Sequence, residues 1–396
     1  MSTQHIATRG RRRRLLAGVL PVALATPLLL AAPVQAAAGS RSCGWTLMPS
    51  RSPGSVRNFL FAAAADPGRT DRLWAVGDRI SPQDARMVAP VADHWNGSGW
   101  SARVLPGRQS NLLGVYAAGR SNVWAVGFYI IALDNTVPVI DHFNGKAWLT
   151  VPSPRIGYGV LSGVAGTSGR SIWAIGRKLG RPAVTIIEHY NGRTWARVPG
   201  PSPARADYID FGAIKVLSDH DVWVAGDYVR TDGVFRTLIE HFDGHAWRIV
   251  PSPNLGTGSN YLSGIAALGA HRIWAVGKVQ DGPRFRPLGL LWNGHTWKAR
   301  VLPAIGSGDN SLNGLTAAPG GVLWAVGSAA GPGGALRTLT ERYQAGHWRI
   351  VASPSPGTAD NALYAATVTG AHAVWAVGGW YSGSRGKTIA LRRCQP

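Results

Sequence analysis

A tetrapeptide close to Trp-Ala-Val-Gly recurs seven times along this chain, at intervals of roughly 50 residues. Its tryptophans are Trp74, Trp124, Trp173, Trp223, Trp274, Trp324 and Trp375. A period of this size is typical of the blades of a β-propeller. The sequence therefore predicts an all-β, seven-bladed β-propeller of four-stranded blades.

Each repeat opens with two strands that differ in residue pattern. The first is made of small apolar residues, as in residues 262–267, which suits strands crowded around a propeller axis. The motif strand follows, and period-two alternation places its Trp and Val on one face and its Ala and Gly on the other. We expect the large face of one blade to pack against the small face of its neighbour, with the tryptophans between blades.

The second half of each repeat is a hairpin. The third strand ends in an aromatic residue before Asn-Gly or Asp-Gly, as in residues 190–192, and the fourth strand begins with a tryptophan such as Trp195. Asn-Gly and Asp-Gly favour tight turns because they accept positive φ. The aromatic residue and the tryptophan should form a cross-strand pair. A Pro-rich segment such as residues 152–154 then ends the fourth strand, since proline cannot donate to a ladder.

The two ends of the chain complement each other. The seventh repeat stops after its third strand, whereas residues 44–50 match a fourth strand with Trp45 in the tryptophan position. We therefore expect the N-terminal strand to complete the last blade. The only two cysteines, Cys43 and Cys394, flank the hairpin whose turn is absent, which predicts a disulfide in an oxidising compartment. The alternative is a pair of free or intermolecular thiols.

These features together resemble a known family. An apolar strand ending in glycine (Gly378-Gly379 in the last copy), an aromatic–Trp hairpin and a Pro-rich exit are similar to the kelch motif and to the propeller domain of galactose oxidase-like secreted proteins. The copper-radical site of galactose oxidase does not carry over, because both cysteines are used in the closure and no matching tyrosine–histidine pattern is present. The Asn-Gly-x-x-Trp hairpin also resembles a shortened Asp-box of sialidase-type propellers, without that motif's regular Ser and Thr.

The first 38 residues read as a secretory signal peptide. Arginines precede an apolar run over residues 15–32, and a small-residue site places cleavage near Ala36 to Ala38. Residues 39–396 would then form the propeller domain. Export could follow the general secretory route or, because of Arg12-Arg13, the twin-arginine route. No later stretch is long and apolar enough for a membrane span, so we expect a secreted, extracellular monomer.

The predicted mature chain is strongly basic. Removal of five arginines with the leader leaves 36 basic against 20 acidic side chains. Such a surface suits acidic polymers, for example acidic wall polymers or polysaccharides. Because the arginines are spread over all blades, they can equally be ordinary solubilising residues, and we regard nucleic acid as an unexpected partner.

Candidate ligand-binding residues lie in the loops of one propeller face. These loops connect the second strand to the third and lead into each inner strand, and they combine aromatic rings with Asp and Arg, the residue types that stack on sugars and hydrogen-bond to them. The candidates are Asp78, Arg79, Tyr129, Tyr158, Tyr208, Asp227, Tyr228, Tyr261, Trp380 and Tyr381. Ordinary loop solvation explains the same residues equally well.

Enzymatic function is a second hypothesis. Asp78 and Asp227 follow the motif strands directly and are the best candidates for carboxylates near the axis; a glycosidase would need two such groups roughly 5–9 Å apart. The acids that recur on third strands are interpreted instead as solvated rim residues: Asp93, Asp141, Glu188, Glu240 and Glu341. No serine-hydrolase elbow, zinc-protease motif, phosphate loop or Cys-rich metal spacing occurs, so no cofactor or metal is expected.

Three functions therefore remain open from the sequence. The first is a secreted, non-enzymatic binding module for a carbohydrate, a cell-surface polymer or an extracellular protein. The second is an extracellular carbohydrate-active hydrolase or lyase. The third is a binder of acidic polymers held mainly by charge.

Overall fold

Seven four-stranded antiparallel sheets make up the described part of the molecule. The structure is a computed structural model that describes residues 43–54, 56–80, 88–105, 109–132, 135–154, 156–370, 373–383 and 385–394. The predicted signal peptide and its cleavage site lie outside these residues. The fold is the predicted all-β, seven-bladed propeller.

Six blades consist of four consecutive strands. Blade 1 contains β2 (Arg57–Ala65), β3 (Leu73–Ile80), β4 (Val88–Trp95) and β5 (Trp100–Val104). Blade 2 contains β6 (Ser110–Gly119), β7 (Asn122–Ala132), β8 (Asn135–Phe143) and β9 (Trp148–Thr150). Blade 3 contains β10 (Gly159–Ser168), β11 (Ser171–Lys178), β12 (Val184–Tyr190) and β13 (Trp195–Arg197). Blade 4 contains β14 (Tyr208–Ser218), β15 (Asp221–Val229), β16 (Phe235–Phe242) and β17 (Trp247–Ile249).

The remaining blades complete the ring. Blade 5 contains β18 (Asn260–Ala267), β19 (Ile273–Asp281), β20 (Arg284–Trp292) and β21 (Trp297–Val301). Blade 6 contains β22 (Asn310–Ala318), β23 (Val322–Ala330), β24 (Leu336–Gln344) and β25 (His347–Ile350). Blade 7 contains β26 (Asn361–Thr369), β27 (Ala373–Ser382), β28 (Arg385–Cys394) and, from the other end of the chain, β1 (Trp45–Leu47).

Blade 7 closes the ring as the sequence predicts. Strand β1 pairs antiparallel with β28, and Trp45 lies opposite Arg393. Beyond this short ladder, Met48 N–H donates to the carbonyl of Ala390 at 2.8 Å. Cys43 and Cys394 form a disulfide with a Cα–Cα distance of 5.2 Å and a sequence separation of 351 residues. The predicted disulfide is confirmed.

The tryptophans lie between blades, also as predicted. Each motif tryptophan makes an edge-to-face contact with the fourth-strand tryptophan of the next blade, with ring centroids 5.4–5.9 Å apart. This geometry suits the aromatic quadrupole and adds to the burial of two large side chains. The seven pairs are Trp74–Trp148, Trp124–Trp195, Trp173–Trp247, Trp223–Trp297, Trp274–Trp348, Trp324–Trp45 and Trp375–Trp100.

The predicted cross-strand aromatic pairs of the hairpins are present as well. In six blades the last aromatic residue of the third strand lies opposite the fourth-strand tryptophan, at 5.4–5.8 Å between centroids. The turn works differently from the expectation. In the Asn-Gly and Asp-Gly turns only the glycine takes positive φ, as at Gly192 (φ 91°), and Asn191 Oδ1 accepts hydrogen bonds from the N–H groups of Arg193 and Thr194. In the turn of blade 6, both Ala345 and Gly346 take positive φ.

A β-bulge on every inner strand explains the motif glycine. In blade 6, Leu312 pairs with Gly327 and Gly314 with Val326, so Asn313 is the extra residue of the bulge. A Cβ at Gly327 would overlap the Ser311 carbonyl oxygen, and the motif glycines of the other six blades face the same obstruction. Packing between blades accounts for the motif alanine, but the glycine is required by the bulge.

The bulges also line the propeller axis. One extra residue per blade faces an axial cavity of about 170 Å³. These residues are Phe61, Leu113, Ser162, Gly212, Ser263, Asn313 and Tyr364. The residue after each of them is glycine or alanine, as expected where the inner strands converge, whereas the residue before each of them is leucine or phenylalanine.

The recurring third-strand acids are buried, so their interpretation as solvated rim residues is wrong. Third strands have a neighbouring blade against each face, and alternation therefore gives them no solvent side. Thr185 Oγ1 donates to Glu240 Oε1 from the next blade at 3.1 Å. Burial raises the pKa of Asp93 and Glu188 to about 7 and the pKa of Glu240 and Glu341 to about 8. The buried set is Asp93, Asp141, Glu188, Glu240 and Glu341.

Candidate functional site

One face of the propeller gathers the variable residues. We call it the loop face, because it is formed by the connections from second to third strands and into the inner strands; the opposite, hairpin face carries the turns between third and fourth strands. The residue after each motif glycine lies near the loop face. From blade 1 to blade 7 these residues are Asp78, Phe128, Arg177, Asp227, Lys278, Ser328 and Gly379.

Side chains at this position reach the inner strand of the next blade. Asn111 Nδ2 of blade 2 donates to Asp78 Oδ2 of blade 1 at 3.1 Å. Arg177 of blade 3 forms an ion pair with Asp210 of blade 4. The residue types that meet at a blade junction therefore differ from one junction to the next, although the surrounding repeat is nearly constant.

Four aromatic rings form a continuous row across blades 4 and 5, which we call the aromatic ladder. It runs from Tyr208 to Phe235, Tyr261 and Phe285, and successive centroids are 6.2, 4.8 and 6.0 Å apart. All four rings are partly exposed, and Tyr208 has 36% of its surface accessible. Because these residues begin inner or third strands, the ladder lies on the loop face.

A cation lies at each end of the aromatic ladder. The guanidinium of Arg177 is 4.3 Å from the centroid of Tyr208. At the other end, Lys278 Nζ is 4.6 Å from Phe285 and 5.1 Å from Tyr261. These cation–π contacts fix the two charges against the ladder and orient them along its edge.

A carboxylate pair lies beside the ladder. Asp210 and Asp227 are direct cross-strand neighbours on β14 and β15, and Arg177 binds Asp210. Asp227 is buried, and burial followed by repulsion from Asp210 raises its pKa to about 8, although Lys278 opposes the shift. Near neutral pH, Asp227 therefore keeps its proton. Burial also raises the pKa of Asp210, and the ion pair with Arg177 opposes that shift.

A second cluster lies at the junction of blades 7 and 1. Arg57 forms an ion pair with the buried Asp78, and burial still raises the pKa of that carboxyl against the effect of Arg57. The ring of Phe59 packs edge-to-face on Tyr381 at 5.3 Å and lies 6.1 Å from Tyr364. Phe59 also occupies the space that a side chain at position 379 would fill. This cluster is closed by its own contacts, whereas the aromatic ladder is open.

The structure brings only some of the predicted site residues together. Tyr208, Asp227 and Tyr261 meet at the aromatic ladder, and Asp78 and Tyr381 belong to the second cluster. Asp78 and Asp227 lie in blades 1 and 4 with separate partners, so the two carboxylates expected near the axis do not form one pair.

Five predicted residues belong to neither cluster. Tyr228 packs against the core between blades 3 and 4, with Arg230 5.4 Å from its ring. Trp380 packs against the core between blades 6 and 7, with Lys387 at 5.2 Å. Tyr158 is exposed, and Arg79 and Tyr129 are partly buried on their strands.

Sequence reasoning missed Asp210, Phe235 and Phe285. Asp210 lies on an inner strand that was expected to hold small apolar residues. The feature that could have identified it is its pairing opposite Asp227 on the neighbouring strand. Phe235 and Phe285 begin third strands at equivalent positions in successive blades, each opposite the end of a second strand. This equivalence was available in the repeat alignment, but the contact with Tyr261 joins two blades and required the three-dimensional packing.

Two further properties concern the described residues only. Their His, Cys, Asp and Glu side chains form no group of three or more that could hold a metal ion. They also include no helix with the length and apolar character that crossing a membrane requires.

Comparisons with known proteins identify the architecture. No protein-family model and no curated protein matches the sequence. YCF48 from Cyanidioschyzon merolae superimposes with a TM-score of 0.54 at 14% identity, covering 89% of this chain and 99% of that one. YCF48 bound to D1 peptide gives 0.52 at 15% identity, covering 89% and 97%. Trypanosoma rangeli sialidase in complex with sialic acid gives 0.51 at 11% identity, covering 88% of this chain but 59% of the sialidase. At these identities the likeness shows the propeller fold alone.

Proposed function

We propose that this chain is a secreted, kelch-like propeller that binds an extended carbohydrate across the aromatic ladder without chemical conversion. The observation that carries the proposal is the row of four partly exposed rings with a cation at each end. Contiguous exposed apolar patches on protein surfaces mark interaction or ligand-binding sites. An extracellular protein segment is the other ligand that such a surface suits.

The chemistry of the ladder matches a sugar chain. Aromatic faces pack against the apolar faces of pyranose rings, and carboxyl and guanidinium groups hydrogen-bond to paired hydroxyls. Asp210 supplies a carboxyl group and Arg177 a guanidinium group beside Tyr208. Because the ladder crosses from blade 4 to blade 5, it favours several consecutive sugars over a single one.

Export is part of the same proposal. The N-terminal residues have the pattern of a secretory leader, and the disulfide that joins the two ends of the propeller suits an oxidising compartment. Protein recovered from the culture medium should begin near Ala36 to Ala38. Full-length chains retained inside the cell would contradict this proposal, and the N-terminal peptide can be read by mass spectrometry.

A panel of soluble polysaccharides and oligosaccharides tests the binding function by calorimetry. Replacing Phe235 or Tyr261 with alanine should weaken binding of the best ligand at least about tenfold, since a central aromatic contact is removed. Tyr158→Ala is the matched control, because this exposed tyrosine lies on the same face outside the ladder. Equal affinities of all three variants would refute the ladder as the binding surface.

Salt dependence separates this function from binding by charge alone. Stacking and neutral hydrogen bonds respond weakly to ionic strength, whereas binding held by surface charges is strongly screened. We expect the ladder ligand to keep most of its affinity between low and physiological salt. A ligand that is lost over this range and is insensitive to Tyr261→Ala would support the charge-driven alternative.

The pair of Asp210 and Asp227 favours a carbohydrate-active hydrolase or lyase as the second candidate. In a hydrolase, the protonated Asp227 would act as general acid, and Asp210, held in its ion pair with Arg177, would be the second carboxyl group. Incubation with each bound polysaccharide followed by analysis of reducing ends tests this. Release of products that stops in Asp227→Asn, with ligand binding retained, would replace the non-enzymatic proposal.

A further inference from the structure

The repeat departs from its own pattern at one blade junction. Six motif tryptophans are each covered by an aromatic ring from the third strand of the next blade, at 4.7–5.2 Å between centroids. The seventh, Trp324 of blade 6, is covered by the guanidinium of Arg393 at 5.1 Å. Arg393 therefore occupies the position that Phe143, Tyr190 and their equivalents hold elsewhere.

The cross-strand partner of Trp324 is also unusual. In blades 1 to 4 the residue opposite the motif tryptophan is a histidine, whose ring lies 3.9–4.5 Å from the indole. In blade 6 it is Arg342, with its guanidinium 5.8 Å from Trp324. Arg349 lies opposite Arg342 on the outer strand and adds a third guanidinium to the same row.

This arrangement places like charges together, and the described part of the chain supplies no counter-charge. Among the described residues, no carboxylate lies within ion-pair distance of Arg342, Arg349 or Arg393. The Nε atom of Arg342 is buried and has no hydrogen-bonding partner in the described chain. Burial, and then repulsion from Arg342, lowers the pKa of Arg393. Covering the motif tryptophan does not require a guanidinium, since the other six junctions use an aromatic ring at the position of Arg393.

The arginine of blade 7 that is equivalent to Arg342 has an ion-pair partner. Arg392 lies over Trp375 at 5.9 Å, as Arg342 lies over Trp324. Arg392 Nε, however, donates to Asp71 of the next blade at 3.3 Å. Among the described residues, Arg342 of blade 6 has no carboxylate in the role that Asp71 has for Arg392.

We propose that Arg342, Arg349 and Arg393 form a binding site for a tetrahedral oxyanion, phosphate or sulfate, on the hairpin face at the junction of blades 6 and 7. Guanidinium groups hold such ions by paired N–H donors, and the bound charge offsets the repulsion between Arg342 and Arg393. Arg342 and Arg393 lie near the ends of β24 and β28, and Arg349 lies on β25. All three are partly or fully exposed, so the site opens on the face opposite the aromatic ladder. The proposed anion site is independent of carbohydrate binding at the aromatic ladder.

Thermal unfolding in sodium phosphate or sulfate, at ionic strength held constant with chloride, tests the site. The wild-type Tm should rise by about 2 °C or more at concentrations well above the dissociation constant. Arg342→His combined with Arg393→Phe restores residue types used at other junctions and should fold but show no such rise. Arg392→His is the matched control and should respond like the wild type.

Calorimetric titration with phosphate, and then with a glycerol-phosphate polymer, distinguishes a free ion from a phosphate group on a macromolecule. Tighter binding of the polymer that is lost in the double variant assigns the site to a polymer; equal binding per phosphate assigns it to the free ion. A wild type whose Tm ignores both anions, or a double variant that responds as strongly as the wild type, would overturn the proposal.

Discussion

At the scale of single residues, the motif glycine is fixed by a backbone contact and not by its neighbours in sequence. We expect Gly327→Ala to lower the free energy of unfolding by roughly 2–4 kcal/mol, because its Cβ would overlap the Ser311 carbonyl and displace the bulge. Chemical denaturation measures the change. Gly99→Ala, at a glycine with open space around it, should leave stability nearly unchanged; equal losses in both variants would contradict the bulge explanation.

A second residue-scale prediction concerns the buried carboxyl of Glu341. Its pKa is raised by burial to about 8 in the folded protein, so the folded state binds more protons than the unfolded chain between the ordinary glutamate pKa and about 8. Its contribution to stability is therefore present at pH below the unfolded pKa and is lost as pH rises towards 8. Thermal unfolding of the protein should occur at progressively lower temperature over this interval.

Glu341→Gln isolates that contribution. The amide cannot ionise, so the variant should have a higher Tm than the wild type by a few degrees near pH 8, with the difference vanishing near pH 5. Asp281→Asn, at an exposed carboxyl, is the control and should not alter the pH profile. A Tm difference that is the same at both pH values would show that Glu341 does not titrate as described.

At the scale of elements, the fourth strand is held mainly by its tryptophan. In β9, Trp148 is buried against Trp74 of blade 1 and Phe143, while Leu149 is exposed. Trp148→Ala should cost about 3–5 kcal/mol of unfolding free energy, whereas Leu149→Ala should cost little. Urea denaturation compares the two, and a Trp148→Ala variant as stable as Leu149→Ala would exclude the interlocking of blades by these tryptophans.

The strands were predictable because the repeat presents each strand type seven times. The small residues of inner strands, the motif strand and the aromatic–Trp hairpin all have local signals that agree with the packing found. The third-strand acids were misread because alternation indicates a solvent side only when one face of a strand is free. Contacts between blades, such as Phe235 with Tyr261, follow from the ring and not from any single strand.

The candidate site was predictable in part for the same reason. Asp227 was recognised because it follows a motif glycine, a position that the fold fixes near the loop face. Its partner Asp210 lies on an inner strand and is paired through register alone. The closed cluster around Phe59 and Tyr381 has similar composition to the ladder, so composition could not tell an open surface from a packed one.

At the scale of the whole molecule, one short strand and one disulfide join the ends of the chain. Replacing Cys43 and Cys394 by serine should lower the Tm. The disulfide joins residues 351 apart in sequence and reduces the conformational entropy of the unfolded chain, which raises the free energy of unfolding by up to about 6 kcal/mol. Hydrogen exchange should then show β1 and β28 opening before the other blades. An unchanged Tm together with unchanged protection of β28 would contradict closure through this junction.

We propose above that the aromatic ladder of blades 4 and 5 binds the ligand of a secreted propeller. A crystal structure of the protein with its best oligosaccharide ligand would show whether the ladder is the binding surface. We predict sugar rings stacked on Tyr208, Phe235, Tyr261 and Phe285, with hydroxyls hydrogen-bonded to Asp210 and Arg177. A ligand bound elsewhere, with the four rings of the ladder left uncovered, would exclude the ladder as the binding surface.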